Sequence, residues 1–420
     1  MATYFLSSNQ TIANFSIDPF SQDFFVNDGG PASKLNIFQS GSNTVITNGT
    51  NTVTLTNFAV GQISSAQFTS TDGSTITVGD NTTGIPGDAT STNGYVNTAG
   101  GDYYLGLGGD DIVSQITGND LVFGNMGNDQ ITSGAFAGSP TVFGGQGNDT
   151  LAFAGFTGTA QLLGNLGDDT ITGTAATTGN NTVFGGQGND VINFAGATGN
   201  NVLFGDLGND AITGGAGAST IFGGQGQDTV TGGNTASLLL GNLGDDVLLG
   251  GTGNDTIYGG QGQDSVFGGS GNDRLFGDIG NDTLNGFIGS DTLTGGAGSD
   301  VFTEDFTAPI DAGVTSTTAD YITDFVSGAD TVRFTSTGLV AGSTGTGQFT
   351  SFGVSTVTSV EQAVTAYGAS TLPRTAFTFI QGASNGYLIY DADTTNAAAT
   401  GVIVVQGTGG LAATDILVGN

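Results

Sequence analysis

The chain has 420 residues, 37 Asp and Glu against 4 Lys and Arg, a formal net charge of −33, and no Cys, His or Trp. That charge argues against nucleic acid and anionic membrane partners. The missing Cys removes disulfide and thiol chemistry, and the missing His removes zinc-protease motifs, Ser-His-Asp triads and most general-base schemes.

Glu304 and Glu361 are the only glutamates, so nearly every acid is Asp. Generic solvating acidity mixes the two types, so the bias points to ligands in turns. No run approaches about 18 apolar residues, so no transmembrane segment is expected. Met1–Ser8 lacks a basic region and a long apolar one, so an N-terminal secretory signal is not expected either.

Residues 1–96 are rich in Thr, Ser, Asn, Phe and Val. Alternating runs such as Asn51-Thr-Val-Thr-Leu-Thr and Gly73-Ser-Thr-Ile-Thr-Val predict strands, and Gly29-Gly-Pro31, Asn48-Gly49 and Asp72-Gly73 predict turns. We expect an N-terminal β segment of period two. Its first twenty residues, with Phe5, Phe15 and Phe20, either fold back as a cap or reach a neighbouring subunit by strand addition.

Residues 97–302 repeat one phrase. Gly144-Gly-Gln-Gly-Asn-Asp-Thr-Leu, Gly268-Gly-Ser-Gly-Asn-Asp-Arg-Leu and Gly277-Asp-Ile-Gly-Asn-Asp-Thr-Leu fit G-G-x-G-x-D-x-U-x, with U apolar. Two nonapeptides make one coil, with a short strand from each. The Asp supplies a hard oxygen and the turn carbonyls supply more, which suits Ca²⁺ without His or Cys. The residue two after each Asp should point inward: Val113, Ile131, Leu151, Ile171, Ile192, Ile212, Val230, Leu248, Ile257, Val266, Leu275, Leu284, Leu293 and Phe302. None is polar, so the core should be continuous.

The candidate metal ligands fall into two rows, one per edge. Row one is Asp111, Asp129, Asp149, Asp169, Asp190, Asp210, Asp228, Asp246, Asp264, Asp282 and Asp300. Row two is Asp102 and Asp120, then Asp255, Asp273 and Asp291. In the gap of row two stand Pro140, Ala160, Asn181, Asn201, Ser219 and Ser237. Row-one spacing there is 20, 20, 21, 20, 18 and 18, so extra residues enter four coils. This predicts a Ca²⁺-poor edge with small loops, serving either as a contact surface or as the product of tolerated drift. One ion between same-edge coils would give roughly a dozen Ca²⁺ and cancel most of the charge.

Two further patterns follow row one. The turn alternates between phrases such as Gly164-Asn-Leu and Gly144-Gly-Gln, from duplication of a two-coil unit or for lateral packing. A stripe of large residues (Phe123, Phe143, Leu163, Phe184, Phe204, Phe222, Leu240, Tyr258, Phe276) should face outward by strand alternation. It either forms an interface or covers its own coil.

The nonapeptides resemble those of the repeats-in-toxin (RTX) family of secreted bacterial proteins. The resemblance implies a parallel β-roll with Ca²⁺ between successive coils, folding triggered by Ca²⁺ outside the cell, and type I export through an uncleaved C-terminal signal.

Residues 303–420 form a second β-rich region. Asp320-Tyr-Ile-Thr-Asp-Phe-Val-Ser-Gly-Ala-Asp-Thr-Val-Arg-Phe resembles the segment that follows the roll in that family, where strands close off the solenoid. Thr358-Ser-Val-Glu361 is a capping box that predicts one short helix ending at Gly368. Strands are expected at 375–380, 386–390 and 401–405, and Asp391 and Asp393 are either a further ion site or an ordinary turn.

The expected fold is therefore all-β: a β-roll (97–302) between an N-terminal β segment (1–96) and a C-terminal β-rich capping and secretion-signal domain (303–420). The Thr/Gly/Ala/Asn background, the roll and the C-terminal half resemble RTX-type bacterial surface-layer proteins. The expected function is an extracellular, non-enzymatic, Ca²⁺-dependent structural protein forming homo-oligomers, a lattice or filaments, with a cell-surface glycan as a candidate partner. The alternative is a secreted enzyme, toxin or adhesin that uses the roll for export and folding.

Overall fold

The computed structural model describes residues 103–106, 109–134, 137–174, 177–304, 319–334 and 385–390, together with the strands named below. The predicted helix at 358–367 and the residues Asp391 and Asp393 lie outside the described residues. The chain divides into two compact units, Met1–Gly217 and Ala218–Asn420.

In the first unit two parallel sheets alternate along the chain. One face carries Leu121–Met126, Thr141–Gln146, Gln161–Leu166, Thr182–Gln187 and Val202–Leu207, each pairing in parallel with the next. The other carries Ile112–Ile116, Gln130–Ser133, Thr150–Phe153, Thr170–Gly173, Val191–Asn193 and Ala211–Thr213, again parallel. The chain thus winds as a parallel β-solenoid. Alternation decides which side chains enter it. In Thr141–Gln146, Val142 and Gly144 are buried while Thr141 and Phe143 are half-exposed. Val122, Ile131, Val142, Leu151, Leu162, Ile171, Val183, Ile192 and Leu203 all lie in the core with no exposed surface. Each such side chain contributes about 1.5–3 kcal/mol of transfer free energy.

Before the roll, Thr3–Phe5, Phe24–Asn27 and Gln67–Ser70 pair in parallel. Thr75–Val78 turns back antiparallel, and Tyr103–Leu105 links it to Leu121–Met126. Gln10–Ala13, Thr52–Thr56, Asn43–Thr47 and Asn36–Ser40 form a separate sheet. Phe15 and Phe20 lie outside the described residues.

The second unit repeats the winding. Thr220–Gln225, Leu238–Leu243, Thr256–Gln261, Arg274–Ile279 and Thr292–Ala297 form one face. Thr229–Gly233, Val247–Thr252, Ser265–Ser270, Thr283–Ile288 and Val301–Glu304 form the other. Val230, Leu248, Ile257, Val266, Leu275, Leu284, Leu293 and Phe302 fill the interior. Past the repeats, Asp320–Val326 and Thr331–Phe334 add one parallel strand to each face. Gly401–Thr408 pairs with the former and Ile416–Val418 with the latter, and the meander Phe377–Gln381, Gly386–Tyr390, Gly401–Thr408 is antiparallel.

The extra residues of the longer coils in the first unit are not small solvent loops alone. Phe153, Phe156, Ala160, Phe194 and Ala197 are fully buried, with Phe153 and Phe156 edge to face at 5.8 Å. They line this edge with further buried apolar side chains. Pro140, Ala160, Asn181, Asn201, Ser219 and Ser237 are likewise buried. A contact surface on this edge would have to be made by the exposed residues beside them.

The outward stripe is present as expected. Phe123 stacks on Phe143 at 4.7 Å, Phe184 on Phe204 at 4.8 Å, and Tyr258 on Phe276 at 4.7 Å, all nearly parallel. Both turn phrases meet one backbone requirement, a positive φ at their second residue. Asn125, Asn165, Asp206, Asn242 and Asp278 hold φ of 74–82°, a left-handed conformation that Asn and Asp tolerate. The intervening coils use glycine there. A Cβ on Gly145 would collide with the carbonyl of Asn125.

Candidate metal centres

Each row-one Asp sits at a strand start, fixed by three sets of hydrogen bonds. Its backbone carbonyl accepts from the following coil, as when Thr150 N–H donates to Asp129 O (2.7 Å) and Thr170 N–H to Asp149 O (2.8 Å). Its Oδ1 accepts the backbone N–H of the Asp one coil earlier. In the first unit Asp111 donates to Asp129, Asp129 to Asp149, Asp149 to Asp169, Asp169 to Asp190 and Asp190 to Asp210, at 2.7–2.8 Å. In the second unit Asp228 donates to Asp246, Asp246 to Asp264, Asp264 to Asp282 and Asp282 to Asp300, at 2.8–3.0 Å. Row two does the same there, from Ser237 through Asp255 and Asp273 to Asp291.

The residue before each Asp makes a third ladder, running the other way. Asn148 N–H donates to Asn128 Oδ1 (2.7 Å), Asn189 N–H to Asp168 Oδ1 (2.7 Å) and Gln263 N–H to Asp245 Oδ1 (2.7 Å). This ladder was missed in the sequence, although the recurrent Asn or Asp at that place was its signal.

What remains is the second carboxylate oxygen. Oδ2 of Asp129, Asp149, Asp169, Asp190, Asp246, Asp255, Asp264, Asp273, Asp282 and Asp291 is buried and receives no hydrogen bond. A buried anionic oxygen left so costs several kcal/mol. Each faces a glycine. A Cβ at Gly144 would overlap Asp149 Oδ2 and come within 2.9 Å of the Gly164 carbonyl. Gly185 repeats this with Asp190 Oδ2 and Gly205 O (2.8 Å), and Gly259 with Asp264 Oδ2 and Gly277 O (2.8 Å). A carboxylate oxygen and a carbonyl oxygen from the next coil therefore converge where a side chain is forbidden. Hard oxygens in such a cradle are the ligand set of Ca²⁺. Among the described residues no three acidic side chains cluster, so most ligands must be backbone carbonyls.

Without a cation the carboxylates resist ionisation. Burial pushes Asp149, Asp169, Asp246 and Asp282 up to about 7, against the hydrogen bond to each Oδ1, with neighbouring Asp adding repulsion. Asp291 rises to about 8, through burial and then repulsion by Asp320. A divalent ion inverts this balance.

The candidate ligands are not all alike. Asp102 lies outside the described residues. Asp120 is buried, but its Oδ2 accepts Thr117 N–H at 3.0 Å. Both ladders also continue past the repeats, which sequence reasoning missed. Asp291 N–H donates to Asp320 Oδ1 (2.7 Å) and Asp300 N–H to Asp330 Oδ1 (3.1 Å). Asp330 Oδ2 is occupied by Val326 N–H (2.7 Å), so it closes row one.

A solenoid with buried, half-satisfied carboxylates at glycine cradles along its edges is a calcium-binding β-roll. The family described as RTX calcium-binding nonapeptide repeat matches residues 117–302 in the segments 117–140, 141–153, 154–192, 175–212, 193–221, 204–239, 240–275 and 267–302, and these residues are RTX repeats. Such repeats bind Ca²⁺ and suggest secretion, and the repeat fold is not catalytic by itself. No curated protein matches the chain. Among the described residues no helix is long and apolar enough to cross a membrane.

Proposed function

We propose that this is an extracellular structural protein that folds on Ca²⁺ after export and assembles with copies of itself into a surface-layer lattice or a matrix fibre. The observation that carries the reading is an apolar outer strip beside row one. Met126 is 50% exposed, and Leu166 and Leu207 are exposed beside the stacked phenylalanines of the first unit. In the second unit Leu243 and Ile279 (59% exposed) flank the Tyr258–Phe276 stack. Regularly repeated apolar knobs on a rigid sheet suit lateral association better than a single-ligand pocket. The missing His and Cys support a non-enzymatic role. Type I export through the C-terminal region and attachment through a cell-surface glycan belong to the same proposal.

The test is dialysis from chelator into about millimolar Ca²⁺, followed by circular dichroism and negative-stain electron microscopy. Ordered sheets or fibres that appear with the β signal and vanish with chelator are the expected result. A protein that folds on Ca²⁺ yet stays monomeric at high concentration would refute self-assembly.

A further inference from the structure

In row two of the first unit, two buried asparagines occupy the place of the metal-binding aspartates, and their bonding differs in one respect. Asn181 Oδ1 accepts Ala160 N–H at 3.0 Å, and Asn201 Oδ1 accepts Asn181 N–H at 3.1 Å. Oδ1 of each row-one Asp accepts the same backbone group. Because a backbone N–H faces that atom, it is the amide oxygen and the remaining atom is the NH₂. Asn181 Nδ2 donates to Gly179 O (2.9 Å) and to Asn201 Oδ1 (2.9 Å), and Asn201 Nδ2 donates to Gly199 O (3.0 Å). The atom that in an Asp needs a cation here carries hydrogens and finds carbonyls. In the second unit Ser237 repeats the device, its hydroxyl donating to Thr235 O at 3.0 Å while its N–H donates to Asp255 Oδ1.

We propose that the Asn181–Asn201 edge holds its coils together without an ion, the side-chain amide taking the place of Ca²⁺. An amide oxygen is itself a Ca²⁺ ligand in other settings. Asn201 Oδ1, however, already accepts two N–H groups and has no lone pair left for a cation. Both side chains are 1% exposed, so water does not make up the difference. The fully buried Phe153, Phe156 and Phe194 supply apolar contacts on the same edge. The coils around Asn181 and Asn201 therefore carry ions on one edge only, and their other edge needs no ion of its own once row one is filled.

The test counts ions in the full chain by equilibrium dialysis against Ca²⁺ and elemental analysis, with circular dichroism on the same samples. Asn181→Asp with Asn201→Asp should bind at least one more Ca²⁺ than the parent and need more Ca²⁺ for its full β signal. Asn181→Ala with Asn201→Ala should keep the parent count and lose thermal stability. The reverse exchange in row one, Asp169→Asn with Asp190→Asn, should lose ions and keep the β signal. An unchanged count in the folded Asp variant, a lower count in the folded Ala variant, or unfolding of the row-one Asn variant at saturating Ca²⁺ would each overturn the proposal.

Discussion

Stripping Ca²⁺ at controlled pH tests the physics of the edges most directly. A buried Asp whose value rises from 3.8 to about 7 is stabilised in its neutral form in the folded state. Its contribution to metal-free stability is fully present below about pH 4 and is lost as pH rises through 7. By neutral pH the penalty is about 4 kcal/mol per carboxylate. Four of them exceed the roughly 5–15 kcal/mol that holds a folded protein together. Halved for water that reaches the edge, they still consume most of it. Metal-free protein at pH 8 should therefore lose its roll and at pH 5 retain much of it, while saturating Ca²⁺ abolishes the difference. Protein passed over chelating resin and followed by circular dichroism from pH 4.5 to 8.5 gives the answer. A metal-free β signal that is intact at pH 8, or that is lost equally at pH 5 and pH 8, would refute the reasoning.

Three pairs of substitutions probe other parts of the structure. Gly144→Ala places a methyl on Asp149 Oδ2 and should remove one bound ion. Gly134→Ala, whose Cβ meets nothing within 4 Å, should leave the count unchanged. Ile171→Ala opens a cavity in the first unit's core and should cost about 2–5 kcal/mol, read as a lower Tm in saturating Ca²⁺. Thr170→Ala, half-exposed beside it, should cost under about 0.5 kcal/mol. Leu243→Asp with Ile279→Asp should leave Ca²⁺-induced folding intact and abolish ordered assemblies under the electron microscope, since both side chains face solvent.

The solenoid was legible because its residues repeat against a fixed register. Leu151, Ile171 and Ile192 stand two places after an Asp, and all three are fully buried. The two rows of aspartates, as positions in the coil, were legible for the same reason. Reading failed where the period breaks. Asp320 and Asp330 continue the rows at separations of 29 and 30 residues instead of 18, so spacing conceals them. Phe156 and Ala197 lie past the strands of the longer coils, where neither the nonapeptide nor strand alternation says which way a side chain turns. The amide bonding of Asn181 and Asn201 was hidden differently. The sequence shows only that Asp is missing, and the donors appear once the carbonyls are in place.

The inner ladder also gives the roll an arrow. Along row one of the second unit the amides of Asp228, Asp246, Asp264 and Asp282 are each capped by the carboxylate of the coil that follows. Cutting a unit between coils leaves unlike wounds. The piece that keeps its C-terminal end exposes a spare carboxylate, which water solvates readily. The piece that loses it keeps an inward-facing N–H with no acceptor, at about 1–3 kcal/mol. Asp320 and Asp330 seal that vulnerable side in the second unit. Shortening from the front is therefore the gentler operation, and a coil docking onto the front of a finished stack meets an acceptor already in position.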